Sequence, residues 1–274
     1  MNDTLILLQL LHQRGIHVYV HKSFADCLPD TTVPYDTFTK LPDNIYCLMS
    51  LGGDGTLLDS VCLAGNSDTP VLGINTGRLG FLSSVPLSDA GNAVDALLNN
   101  DYRIEERLLL HVSGKFLPTD DSPYTLNDVG IQRRYPSMIS LRLTINKETL
   151  PDYWADGLLV ATPTGSTAYS MSAGGPIVSP DSQSILITPI ASHNLNIRPL
   201  VIADDSEVNV QVITRKGGAV VSLDTRMYDV PSGTVVHIRK ADFKAKIIRL
   251  HQNSFFTTLH EKLLWGSDKR NTPL

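Results

Sequence analysis

With 274 residues, 42% of them hydrophobic and 19% charged, the chain can bury a core as one large domain or two moderate ones. A formal net charge of −5 leaves no basic field for nucleic acid. Cys27, Cys47 and Cys62 lack CxxC or zinc-type spacing and read as buried free thiols in a reducing compartment.

The first apolar stretch, Thr4 to Leu11, is too short to span a bilayer and lacks the basic flank and cleavage site of a signal peptide. The chain therefore reads as cytoplasmic, with no membrane partner. Helical spacing runs from Thr4 to Arg14 and stops at Gly15. Strands are expected at "IHVYV" (Ile16–Val20), "IYCLMSL" (Ile45–Leu51) and "PVLGIN" (Pro70–Asn75), with helices over Thr56–Ala64 and from Ser88 through "AVDALL". Strands alternating with helices imply a parallel sheet in an α/β domain over residues 1–104.

Beyond Arg103 the helices nearly vanish. "RLLLHVSG", "SMISLRLTI", "GLLVAT", "SILITPI", "EVNVQVI", "AVVSLD", "TVVHIRK" and "KIIRL" follow one another, many separated by Gly, Pro, Asn or Asp. That pattern predicts a mostly-β, sandwich-like domain over 105–250. A last helix over Ser254–Trp265 and a polar tail, 251–274, are expected to pack back on the first domain. Trp154 and Trp265 read as packing residues, His193 as structural, and Lys269-Arg270 as a solvated tail.

Three stretches carry chemistry. "SLGGDGTLLDS" (Ser50–Ser60) places Gly52, Gly53, Asp54 and Gly55 behind a buried strand, at the entry to a helix. Asp-Gly alone explains a turn. Glycines there also let backbone N–H groups approach an anion, aided by the positive end of the helix. A carboxylate repels phosphate, so Asp54 makes sense through a bridging metal or as acceptor of a hydroxyl proton. In "WADGLLVATPTGSTAYSMSAGGP" (Trp154–Pro176), three hydroxyls and Tyr169 crowd a helix start. Helix capping and nucleoside binding are both open there. "LNDVGIQ" (Leu126–Gln132) sets Asn127 and Asp128 at a strand entry, as turn chemistry or as hydrogen-bonding partners of a base edge and a ribose diol.

Together these stretches resemble the NAD kinase family, in which GGDG, an Asn-Glu/Asp pair and a DG…TPTGSTAYSxSAGGP block recur in this order. The resemblance runs from about Leu51 to Leu250, and "TPTGSTAYSMSAGGP" is its most specific part. "ITPIASHNLNIRPLVI" (Ile187–Ile202) also looks like the family's P-x-x-x-H-x-L-x-x-R-P segment. The resemblance implies phosphoryl transfer from ATP, or another phosphate donor, to the 2′-hydroxyl of NAD, assisted by Mg²⁺ or another divalent metal, in a homodimer or homotetramer. It implies that Asp54 is the catalytic acid facing that hydroxyl, with Gly52, Gly53, Gly55 and Thr56 along the phosphate path. NAD-binding would fall to Asp54, Gly55, Phe81, Asn127, Asp128 and Asp156, and to Thr167, Ala168, Tyr169, Ser170, Met171 and Ser172. Metal ligands are not assigned.

The chain departs from the family pattern in three places: the helical pattern already begins at Thr4, where members start with a strand; Asp224-Thr225-Arg226 stands for D-G-Q; and Met171 replaces the usual Leu. Two rivals are a lipid kinase, which shares GGDGT, and a non-catalytic NAD(P)-binding sensor. The first lacks support from the TPTGSTAYS block and from any basic membrane-docking helix. The second is disfavoured by the presence of Asp54, Asn127 and Asp128 together.

Overall fold

The structure, a computed structural model, describes residues 2–29, 31–77, 80–194, 196–250 and 254–263. The predicted helix end at Trp265, the tail with Lys269-Arg270, and Leu195 within the Ile187–Ile202 segment lie outside these residues. In chain order the elements are α1 (Asn2–Gln13), β1 (Tyr19–His21), α2 (Lys22–Ala25), β2 (Asp36–Phe38), β3 (Leu48–Leu51), α3 (Asp54–Ala64), β4 (Val71–Asn75), β5 (Val85–Pro86) and α4 (Ala90–Leu98). Next come β6 (Arg103–Ser113), β7 (Tyr124–Thr125), β8 (Asp128–Arg133), β9 (Ile139–Ile145), β10 (Glu148–Thr149), β11 (Tyr153–Ala155) and β12 (Gly157–Ala161). After a 3₁₀ turn at Thr164–Thr167 follow α5 (Tyr169–Ser172), β13 (Ser184–Ile190), β14 (Leu200–Ala203), β15 (Val208–Ile213), β16 (Ala219–Leu223), β17 (Arg226–Val230), β18 (Val235–Arg249) and α6 (Phe255–Leu263).

The chain divides into two units, one made of the described residues of Met1–Glu105 and Lys246–Leu274, the other of Glu106–Ala245. In the first, β3 and β5 flank β4 in parallel, with Leu51 opposite Ile74 and Ile74 opposite Val85, and Ile247 at the end of β18 pairs in parallel with Val71. All five residues of β4 are buried, as expected of a strand covered on both faces. Leu7 and Leu11 of α1, Val94 and Leu97 of α4, and Ile248 pack against Leu72 and Ile74 in one core. The predicted boundary at 250 thus moves to 246, because the last residues of β18 pair within this unit. Two further differences are local. Helix α3 starts at Asp54 rather than Thr56, since a carboxylate in the first turn complements the helix dipole. The strand expected at Ile16–Val20 is β1, Tyr19–His21, and its parallel partner β2 was not legible in the hydrophobic pattern.

The second unit is antiparallel. One sheet has the order β14-β13-β12-β8-β16-β17, and the other includes β10-β9-β15-β18 with β11 beside β9. Val208, Val210 and Val212 alternate with less buried neighbours along β15, the pattern of a strand with one face on the core. The core between the sheets gathers Val129, Ile131, Leu158 and Val160 from one and Leu141, Leu143, Val208 and Val210 from the other, which makes the unit a sandwich. Two packing expectations fail. Cys27 is exposed and Cys47 and Cys62 are only partly covered, none of them in a disulfide, while Trp154 is 53% exposed.

Leu158 is fully buried in this core. Leu158→Ala is expected to lower the unfolding free energy by about 2–5 kcal/mol, read from urea denaturation. Met227→Ala, at a side chain 76% exposed, is expected to stay within about 0.5 kcal/mol of the parent. Equal effects at the two positions would contradict the assigned core.

Candidate functional site

In the first unit the chain turns from β3 into α3 through Gly52 and Gly53, and Asp54 opens the helix. A Cβ on Gly53 or Gly55 would meet open space, whereas one on Gly52 would run into the Thr56 side chain, so the loop is bare at Gly53 and Gly55. The Asp54 carboxylate is turned onto the segment after β4. Phe81 N–H donates to Oδ2 at 2.8 Å, and the N–H groups of Leu82 and Ser83 donate to Oδ1 at 3.1 and 2.9 Å. A carboxylate has about four lone-pair positions, so three are taken and one remains for a further donor. Gly80 permits this approach: a Cβ there would lie 1.9 Å from Asp54 Oδ1. Phe81 is therefore joined to Asp54 through its own backbone. Thr56 lies within the first turn of α3, and its carbonyl accepts from Ser60 Oγ at 2.8 Å.

The second unit builds its candidate site on the turn entering β8. Asp224, in the two-residue loop between β16 and β17, has φ 52°, a left-handed conformation that Asp tolerates better than most residues. Its carboxylate accepts the N–H groups of Leu126, Asn127 and Asp128 at 2.8, 2.8 and 3.1 Å. From the opposite side, Thr162 Oγ1 donates to Leu126 O at 2.6 Å, and Thr162 N–H donates to Asn127 O at 2.9 Å. The Asn127-Asp128 pair and the TPTGST block, 34 residues apart in the chain from Asp128 to Thr162, are thus fastened together. Gly165 makes the contact close, for a Cβ there would lie 2.1 Å from Asn127 O.

Of the remaining NAD-binding candidates, Tyr169 is exposed, Ser172 is exposed, and Thr167, Ala168 and Met171 are partly so. Ser170 faces inward, fully buried, with its hydroxyl 2.8 Å from Thr188 Oγ1. Asp156 forms an ion pair with Arg133 at 3.0 Å. It precedes β12, whereas Asp128 lies opposite Ala161 at the other end of the β8–β12 pairing. At about 3.3 Å per strand residue, the five steps from Asp156 to Ala161 separate the two acids by roughly 16 Å along the strand, the span of an elongated ligand rather than one cluster. Sequence reasoning passed over Asp224 as a support, Thr162 as a clamp and Arg107, whose buried guanidinium reaches Thr164 Oγ1 at 3.4 Å. Their signal was a charged or hydroxyl residue inside an apolar strand or at a strand end.

Asp128 is buried, and burial, followed by the nearby Asp224 charge, pushes its carboxyl from 3.8 up to about 7. Burial also raises Asp224, against the opposing pull of the three N–H bonds it accepts. Near neutrality Asp128 can therefore donate a hydrogen bond as well as accept one. A folded-state pKa above the unfolded value means that the folded protein holds a proton the unfolded chain releases. The stability from this group is full below about pH 4 and is lost as pH rises through about 7. The unfolding free energy of the parent, minus that of Asp128→Asn, is expected to fall between pH 4 and pH 8 in urea titrations. A difference that stays flat or grows would contradict the assigned environment.

Residues 4–102 match the family described as ATP-NAD kinase N-terminal domain, and residues 126–250 match ATP-NAD kinase C-terminal domain. The NAD kinase of Flavobacterium psychrophilum is 41% identical over 274 residues, covering 97% of this chain and 93% of its own. That of Bacteroides fragilis is 40% identical over 269 residues, covering 96% and 93%. Among solved structures, yeast NADH kinase complexed with NADH superimposes with a TM-score of 0.85 at 27% identity, over 99% of this chain and 86% of that one. An NAD kinase from Archaeoglobus fulgidus in complex with ATP gives 0.72 at 26% identity, over 90% and 98%. Two matched domains in order and relatives of 40% identity along nearly the whole length place the chain in the ATP-NAD kinase family.

Proposed function

We propose that the protein transfers the γ-phosphoryl group of ATP to the 2′-hydroxyl of the adenosine ribose of NAD, giving ADP and NADP. The observation that carries this reading is Asp54, anchored by three N–H groups at the head of α3, with one acceptor position left and with Gly53 and Gly55 open on either side of it in the chain. Solved relatives bearing NADH and ATP supply the two ligand classes.

In this reading Gly52, Gly53, Gly55 and Thr56 line the phosphate path, where the α3 N-terminus favours negative charge. Asn127 faces adenine and Asp128 the ribose, on a turn whose backbone is already fixed. Asp156 serves the nicotinamide end, Phe81 flanks the substrate, and the Thr167–Ser172 turn contacts adenosine, Ser170 through backbone position because its hydroxyl is engaged inside. Asp54 accepts the 2′-hydroxyl hydrogen and orients the oxygen. That oxygen forms the new bond to the γ-phosphorus as the bond to the β–γ bridging oxygen breaks, ADP departs, and the hydroxyl proton is released.

Such transfer depends chiefly on positioning and charge neutralisation. A divalent cation, ordinarily Mg²⁺, would supply the neutralisation when bound. Among the described residues no group of three or more His, Cys, Asp or Glu is arranged to hold a metal. Such a cation would be held mainly by substrate phosphates and water, as Mg²⁺ commonly is. A homodimer or homotetramer and a cytoplasmic location belong to the same proposal. Among the described residues no helix is long and apolar enough to cross a membrane.

Purified protein given NAD and Mg-ATP is expected to form NADP, detected by a coupled NADP-specific dehydrogenase. Asp54→Asn is expected to lower kcat on the order of 10²–10⁴-fold. Absence of NADP from the parent protein would overturn the function, and an unchanged kcat in the variant would overturn the role of Asp54.

A further inference from the structure

Arg249 ends β18 inside an otherwise apolar run, and its side chain is only 7% exposed. Its guanidinium makes three directed contacts within the first unit. Nη1 donates to Leu82 O at 2.8 Å, Nη2 donates to Phe81 O at 3.1 Å, and Nε donates to Glu105 Oε2 at 3.2 Å. The two carbonyls belong to the same peptide groups whose N–H ends, on Leu82 and Ser83, point at Asp54 Oδ1. Two successive peptide dipoles are therefore aligned between a buried cation at their oxygen ends and the Asp54 carboxylate at their hydrogen ends. Asn75, also buried, ties the far side of the segment by donating from Nδ2 to Ser83 O at 3.3 Å.

We propose that Arg249, oriented by Glu105, is a positioning residue for phosphoryl transfer: it holds the Phe81–Ser83 backbone so that Asp54 presents its remaining acceptor position in one direction. The proposal rests on the role given to Asp54 above. Its physical basis is geometric. Guanidinium is a planar fork that reaches two carbonyls and a carboxylate at once, whereas lysine is a point donor that holds one of them at a time. A buried arginine could instead serve only the stability of the unit, and the two roles separate in kinetics. A support that acts through Asp54 alters kcat while leaving ground-state binding alone, and it loses its effect once the carboxylate is gone.

The test is a double-mutant cycle on the full chain, with kcat and KM for NAD and ATP measured for the parent, Arg249→Lys, Asp54→Asn and the double variant. Arg249→Lys is expected to lower kcat about 10- to 100-fold, the scale of a misplacement near 1 Å, with both KM values within about twofold of the parent. In the Asp54→Asn background the same change is expected to lower kcat less than about twofold. An equal loss in both backgrounds, or a parent-like kcat in Arg249→Lys, would overturn the proposal. Should Arg249→Lys not fold, Glu105→Gln takes its place in the same cycle, with the same pattern expected and the same contradiction. Failure of Asp54→Asn itself to lower kcat would instead strike the functional reading, so the two failures are distinguishable.

Discussion

A carboxylate that accepts three consecutive backbone N–H groups fixes the path of those residues as firmly as a strand pairing would, and this chain uses that arrangement at both of its candidate site loops. Asp54 receives Phe81, Leu82 and Ser83, and Asp224 receives Leu126, Asn127 and Asp128. In each case the carbonyl ends of two of those peptide groups are met from the other side, by Arg249 in one unit and by Thr162 in the other. Hydrogen bonds to an ionised group contribute about 1.5–3 kcal/mol each, roughly twice a neutral one. Three on one carboxylate are sufficient to hold a loop against the entropy of its alternatives.

The two loops use the device in opposite senses. At Asp224 the carboxylate is the support and the turn carries Asn127 and Asp128, the pair that the proposed function turns toward NAD. At Asp54 the carboxylate opens α3 and the turn after β4 supports it, and the proposed function makes that carboxylate the partner of the reacting hydroxyl. Both depend on glycine where the approach is tightest, Gly80 against Asp54 and Gly165 against Asn127. The β8–β12 register then sets the interval between Asp128 and Asp156.

Much of this was legible in the chain. The α/β pattern of the first hundred residues, the succession of short strands after it, and the three motifs lead to the right fold and family because each is local: periodicity, turn chemistry and spacing over a few residues. What was not legible is what acts across the chain. Arg249 and Phe81 are 168 positions apart, and Asp224 and Leu126 are 98 apart. No period or motif joins them before the fold does. Orientation within a motif was hidden for a related reason. Ser170 and Tyr169 are neighbours in one conspicuous block, yet one hydroxyl is sealed against Thr188 and the other residue faces outward. The domain limit at 246 rather than 250 was missed because β18 is one unbroken strand whose end pairs in a different unit from its start.

The central claim, that side-chain carboxylates hold the site loops by their backbone N–H groups, is tested most directly by native-state amide hydrogen exchange. The amides of Leu82, Ser83, Asn127 and Asp128, the last at the start of β8, donate to side-chain carboxylates, and they are expected to exchange slowly in the parent protein. Asp224→Asn is expected to speed exchange at residues 126–128 by about tenfold or more while leaving 81–83 unchanged, and Asp54→Asn to do the reverse. Exchange at these amides as fast as in an open loop, or rates indifferent to either substitution, would contradict the account.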